Sequence, residues 1–214
     1  MRCDVKHRVW SAVMGGLVLA VAGCGGPGET VKFSASVDAV PAPEKVQQAL
    51  RVAVVPFEDV RADKASIGRY QHYVETRVDK LVPAQGTASE QVTEFVSEYL
   101  KRAGFQVTRA RSVEAVAQGA ADVVLTGQIE SYWSEAVSRF SRTELMSRNR
   151  LVLKASNAGD GSTVRTSMEG GGTTTVVRFC LADLERLNNE SLGESLARFL
   201  KDVVVADRAL RPKK

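Results

Sequence analysis

Arg51-Val52-Ala53-Val54-Val55-Pro56-Phe57 decides the fold. Its unbroken apolar run has strand length and suits a strand covered on both faces, the pattern of a strand inside an α/β sheet. Pro56 closes the regular pairing, because a proline has no N–H to give to a ladder. Beyond it, Val92, Phe95, Val96, Tyr99, Leu100 and Ala103 recur at spacings of three and four and mark an amphipathic helix. Thr87 with Glu90 fits a capping box at its start. Lys101 and Arg102 suit the last turn and Gly104 the left-handed stop. Residues 105–108 read as a short strand, residues 112–119 as a second, shorter helix, and residues 123–129 as a strand. From Leu125 that strand alternates, with Ile129 and Trp133 on one side and Gln128 and Glu130 on the other.

Two longer alternating stretches follow, residues 144–156 and 162–177, joined by Asn157-Ala158-Gly159-Asp160-Gly161, which supplies hairpin-loop residues. They are expected to pair antiparallel. Gly170-Gly171-Gly172 is followed by neither Lys-Ser nor Lys-Thr and opens no helix, so a sheet bulge or kink is expected there rather than a phosphate cradle. Leu184, Leu187, Leu192, Leu196, Phe199, Leu200, Val203 and Val204 then mark a closing amphipathic helix. The expected class is α/β with α+β character: a two-layer sandwich in which amphipathic helices cover a mixed β-sheet with a long antiparallel hairpin.

Residues 58–86 hold no sustained period and read as a long, partly ordered loop at the C-terminal end of the opening strand. In open α/β sheets that end is the usual place for a ligand, and Glu58, Asp59, Arg61 and Asp63 crowd it. The alternative is that these charges are solvated turn residues.

The N-terminus carries a different kind of signal. Arg2, Lys6 and Arg8 precede an apolar run over residues 9–22, which is too short to span a bilayer as a helix and has the form of an export leader. It ends in Leu19-Ala20-Val21-Ala22-Gly23-Cys24, which resembles the lipobox of bacterial lipoproteins. The resemblance implies cleavage before Cys24 and attachment of lipid to its thiol, with Val21, Ala22 and Gly23 as the recognition residues. Two or three acyl chains would then hold the protein to a membrane, because each buried methylene contributes about 0.8 kcal/mol. Gly25 is not the Asp that resembles an inner-membrane retention signal, which favours the outer membrane. Ala20-Val21-Ala22 also fits ordinary secretory cleavage, which would give a soluble periplasmic domain instead. The chain therefore divides into a signal peptide (1–23), a lipidated N-terminus and tether (24–50), one globular domain (51–206) and a basic tail (207–214). Within the tether, Val31, Phe33, Ala35 and Val37 alternate with polar residues as a short strand that could dock on the domain edge.

Several function classes drop out on composition. After the leader, 26 Lys+Arg face 24 Asp+Glu, too even for a nucleic-acid partner. Arg208, Arg211, Lys213 and Lys214 read as a solvated tail. The domain keeps one histidine, His72, and one cysteine, Cys180, which leaves no pair for an internal disulfide and too few ligands for a closed zinc site. His72, in Tyr70-Gln71-His72-Tyr73, reads as a packing or surface residue and Cys180 as a small buried one. No cofactor, metal or catalytic residue is expected.

The order strand, loop, helix, strand, helix, long hairpin, helix resembles the YajG lipoprotein family. The matching features are the strand at Val52 to Phe57, Ile67-Gly68, Leu100-Lys101-Arg102-Ala103-Gly104-Phe105, Ala121-Asp122-Val123-Val124-Leu125-Thr126-Gly127 and the helix over residues 192–202. The resemblance implies an outer-membrane lipoprotein facing the periplasm, without assigned catalysis, and transfers no functional residue beyond Cys24. Such a protein fits a non-catalytic interaction or accessory role in the cell envelope, with an envelope protein or glycan as partner; its oligomeric state stays open. The opening strand also looks like that of CsgG and of the TolB amino-terminal domain, which keeps a subunit of a CsgG-like export assembly as an alternative. Against membrane insertion of the hairpin, Arg148, Arg150 and Lys154 share one face of its first strand.

Overall fold

The structure, a computed structural model, describes residues 28–73 and 77–213. Its strands are β1 (Thr30–Phe33), β2 (Arg51–Val54), β3 (Glu58–Asp59), β4 (Gly68–Gln71), β5 (Val78–Pro83), β6 (Gln106–Arg109), β7 (Val123–Ser138), β8 (Thr143–Asn157), β9 (Thr163–Val176), β10 (Val203–Ala206) and β11 (Ala209–Pro212); its helices are α1 (Ala88–Arg102) and α2 (Leu181–Asp202). Strands β1 to β9 form one mixed sheet, and β10 with β11 forms a separate two-stranded ribbon. The α+β reading of the sequence holds. Among the described residues no helix is long and apolar enough to cross a membrane.

Strand β7 organises the sheet. Along one edge it pairs antiparallel with β8 over its whole length. Along the other it takes three short parallel partners in succession, β2 at residues 123–125, β3 at 128–129 and β4 at 134–137. A register shift between Ile129 and Ser131 makes this possible. Inserting one residue flips the side-chain alternation, because strand side chains repeat every two residues. Before the bulge Val123, Leu125 and Ile129 point into the core; after it Tyr132, Ser134 and Ala136 do. Trp133 therefore lies on the face opposite Ile129, contrary to the uninterrupted alternation read from the sequence. Residues 58–86 also differ from expectation, since they contain three short strands rather than one loop.

Helix α1 opens with the capping box read from Thr87 and Glu90, and Gly104 ends it at φ +96°. The helix follows β5 and leads into β6, which pairs in parallel with β2. Residues 112–119 form successive turns, with Val116 N–H donating to Val113 and Ala120 N–H to Ala117, instead of the expected helix. Val113 is exposed there, so a helix would have had little apolar surface to bury. Strands β8 and β9 pair antiparallel as expected, without a bulge. The two glycines that face α2 answer to packing instead: a Cβ at Gly170 would collide with Ser191 and Ser195, and one at Gly172 would crowd Leu187. Glycine lets the helix sit directly on the sheet.

One apolar cluster joins both helices to the sheet, including Val54, Phe95, Tyr99, Leu125, Leu151, Leu192 and Phe199. Strands β8 and β9 put charge on the opposite face, where Arg148, Arg150, Lys154, Arg165 and Glu169 are exposed. Leu184, Leu187, Leu192, Leu196 and Phe199 line the buried side of α2 as read, but Val203 and Val204 begin β10. Gly193 makes room for Val40.

Both predicted chain ends are more ordered than composition implied. Residues 30–50 belong to the domain. Strand β1 pairs in parallel with β5, Phe33, Val37, Val40 and Leu50 are buried, and Ser36 N–H donates to Asn189 Oδ1 at 3.1 Å. The folded unit therefore includes residues N-terminal of Arg51, back to Gly28 among the described residues. At the other end, Asp207 and Arg208 form a two-residue turn with φ of 51° and 57°, which returns β11 along β10. Arg208 reaches Asp122 at 2.6 Å and Arg211 reaches Asp160, so these two cations are structural and not a free tail.

Candidate functional site

Glu58 and Asp59 form β3, held against the middle of β7, and Arg61 and Asp63 follow in the next turn. Arg61 is buried and uses its whole guanidinium: Nε and Nη2 grip the two Asp59 oxygens at 2.9 and 2.8 Å, while Nη1 donates to the carbonyls of Ser66 and Tyr132. Burial opposes ionisation of Asp59, but the hydrogen bonds from Arg61 outweigh it and hold the carboxyl below its ordinary range. Asp63 accepts from Ser66 Oγ at 2.6 Å and from Ala65 N–H, which lowers its pKa as well. Glu58 accepts from Gln128 at 2.9 Å. All four residues thus have internal bonds that position β3 and the turn behind it.

Arg61 and Asp63 also line a cleft of about 520 Å³ that opens over the β7 bulge, beside Trp133, Arg148, Arg150 and Glu130; Glu58 and Asp59 do not line it. The bulge creates this wall by turning Trp133 away from the core. Arg150 pairs with Glu130 at 3.0 Å across the β7–β8 pair. The lining offers an indole face, guanidinium groups and carboxylates, which suit a polar partner. Among the described residues no group of three or more His, Cys, Asp and Glu side chains could hold a metal ion.

His72 lies with its Nε2 2.8 Å from Asp79 and its ring 4.1 Å from that of Tyr70. Burial raises the pKa of Asp79, yet hydrogen bonds from His72 and from Glu29 N–H carry the net shift downward. Cys180 is half-buried at the start of α2 and not in the core. It is disulfide-bonded, with its partner outside the described residues, which corrects the expectation of no internal disulfide; the remaining cysteines are Cys3 and Cys24, and a Cys24 sulfur held in that bond is not open to lipid. Val21, Ala22, Gly23 and Cys24 lie outside the described residues.

A polar seam escaped the sequence reading altogether. The buried hydroxyl of Tyr132 accepts from Gln91 at 2.9 Å and from Asn188 at 3.2 Å, and burial pushes it up to about 12. Asn149 donates to Ser191 at 2.7 Å and accepts from Ser195 at 2.9 Å. Because Asn188, Ser191 and Ser195 share the buried side of α2, a search for apolar periodicity passes over them. Their bonds fix the helix on the sheet at one register.

Ionic bonding also ties the ends of the domain. Asp122 accepts from Arg51 at 2.9 Å and from Arg208 at 2.6 Å. Chiefly through the Arg51 hydrogen bond, and against some burial, its pKa falls to about 2. A carboxyl depressed in the folded state stabilises the fold above its unfolded pKa of about 4 and loses that contribution as pH falls toward the folded value. The urea midpoint is therefore expected to fall between about pH 4 and pH 2, and Asp122→Asn to flatten part of that slope. Equilibrium unfolding of both proteins across this range checks it; an unaltered slope in the variant would contradict the assignment.

No protein-family model matches the chain, and no curated protein matches it in sequence. Among solved structures, the fold is similar to protein XCC0632 from Xanthomonas campestris, with 11% identity over 81% of this chain and 91% of that one and a TM-score of 0.45. It is similar to the PelC dodecamer subunit from Paraburkholderia phytofirmans, with 16% identity over 72% of this chain and 92% of that one and a TM-score of 0.38. It is also similar to lipoprotein GNA1162 from Neisseria meningitidis, with 10% identity over 71% of this chain and 96% of that one and a TM-score of 0.36. At these identities and TM-scores, function rests on this chain's own residues.

Proposed function

We propose that the chain is a lipoprotein anchored in the outer membrane through Cys24, facing the periplasm, and acting as a non-catalytic interaction or accessory module of the cell envelope. The observation that carries this reading is the sequence Leu19-Ala20-Val21-Ala22-Gly23-Cys24 directly behind a basic, then apolar, leader. A thiol at that position is what lipoprotein processing requires. The YajG resemblance implies the same class. The engagement of Glu58, Asp59, Arg61 and Asp63 within the fold supports a structural role for that turn.

The partner is an envelope protein or glycan, and the cleft beside Trp133 is the surface proposed to meet it. A photoreactive residue in place of Arg150 in the full-length protein, activated in living cells, is expected to give a discrete adduct of higher mass. Mass spectrometry of that adduct identifies the partner. If no position around the cleft yields an adduct while the protein is abundant in the envelope, the interaction reading fails.

A further inference from the structure

The chain enters the sheet at one end. Gly28 packs against the backbone of Val78, and Lys80 N–H donates to the Glu29 carbonyl at 2.8 Å. The register carries that end across the sheet, from Val78 to Gln71, Gln71 to Val137, Val137 to Glu144 and Glu144 to Thr175. Just beyond this line stand Tyr73, the β7–β8 turn and the residues that follow β9. Three of their apolar side chains are held in water: Phe140 is 86% exposed, Val177 88% and Tyr73 54%. Tyr73 and Phe140 meet edge to face with centroids 6.2 Å apart. Arg139, Arg142 and Arg178 surround them. Glu144 lies 3.2 Å from Arg142 and 3.9 Å from Arg139, and Glu29 faces Arg77 at the same end of the sheet.

We propose that this rim rests on the bilayer, with Phe140, Val177 and Tyr73 in the headgroup zone and Arg139, Arg142 and Arg178 against anionic lipid phosphates. The proposal rests on the lipid anchor at Cys24. Between Cys24 and Gly28 only three residues intervene, so even a fully extended spacer reaches about 14 Å. Because residues 30–50 belong to the domain, there is no long tether to lift it away from the membrane. The acyl chains must therefore enter the bilayer close to this end of the sheet. Exposed aromatic rings next to arginines match the chemistry of an interfacial surface, where amphipathic rings and cations sit at headgroup level. The β10–β11 ribbon, next to the β8–β9 turn at the other end, then faces away from the membrane.

The test uses the processed full-length protein with Phe140→Trp, reconstituted in phosphatidylethanolamine and phosphatidylglycerol vesicles with or without brominated acyl chains. Phe140 is exposed, so the substitution leaves the packing intact. Brominated lipid is expected to remove about half of the emission that the substitution adds, as for a ring in the headgroup zone. Trp133, seven residues back along the strand and about 24 Å from the tip, is expected to keep its emission in the wild-type chain. Intact mass on the same sample reports acylation. An acylated chain in which the indole introduced by Phe140→Trp is not quenched overturns the docked rim and leaves the anchor standing. A chain without acyl mass overturns the anchor, and the rim proposal with it.

Discussion

Cys24→Ser moves the protein out of the mature membrane-bound form: it accumulates either as an unprocessed precursor or as a soluble periplasmic chain. The effect is close to all-or-none, because hydroxyl oxygen does not replace the thiolate that accepts diacylglycerol. One acyl chain alone gives marginal, reversible attachment with an association constant of about 10⁴ per molar, whereas two or three together hold durably. Without them only the rim around Phe140 would touch lipid, and that small patch releases in salt as its arginine contacts are screened. Fractionation followed by salt washing checks this. A Cys24→Ser protein that stays salt-resistant in the membrane at mature mass would contradict the anchor.

Arg61→Ala is expected to cost about 3–5 kcal/mol of folding stability, the range for breaking a buried ion pair by deleting one partner. Against a total stability of about 5–15 kcal/mol, that removes much of the margin. The loss has two parts. Asp59, only 16% exposed, keeps its charge with no counterion, and the carbonyls of Ser66 and Tyr132 lose their donor. Arg61→Lys is expected to recover little, since an ammonium cannot grip both Asp59 oxygens and still reach those carbonyls. Glu58→Ala, whose exposed carboxylate accepts from Gln128, is expected to change stability by no more than about 0.5 kcal/mol. Urea unfolding of the three variants separates these cases. An Arg61→Ala midpoint equal to wild type would show that the guanidinium is held for a ligand and not for the fold.

The elements with strong local signals were legible in the sequence. Arg51 to Phe57, the capped helix from Thr87 to Gly104 and the paired stretches of β8 and β9 each carry their own period and punctuation. What escaped depends on contacts between distant segments. Strand β1 and the turn that follows it gain order by docking on β5, Arg102 and Asn189, none of which is near them in sequence. Strands β3 and β4 are two and four residues long and exist because β7 offers them an edge. The bulge at Ile129/Ser131 erased the alternation that would have shown how long β7 is, and the same bulge placed Trp133 in the cleft. Glu58, Asp59, Arg61 and Asp63 could be picked out by charge density, but only the fold shows that Arg61 spends its donors on Asp59 and two carbonyls. The rim at Phe140 was invisible because no local period joins Tyr73, Phe140 and Val177.

Lipid bonded to Cys24 underlies the proposed function, and the intact mass of the protein extracted from the membrane fraction is the decisive test of it. The prediction is a chain beginning at Cys24 that carries a diacylglyceryl group on sulfur and an acyl chain on its amino group. A mature chain with a bare N-terminus, or one cleaved after Ala22 with no added mass, would contradict it.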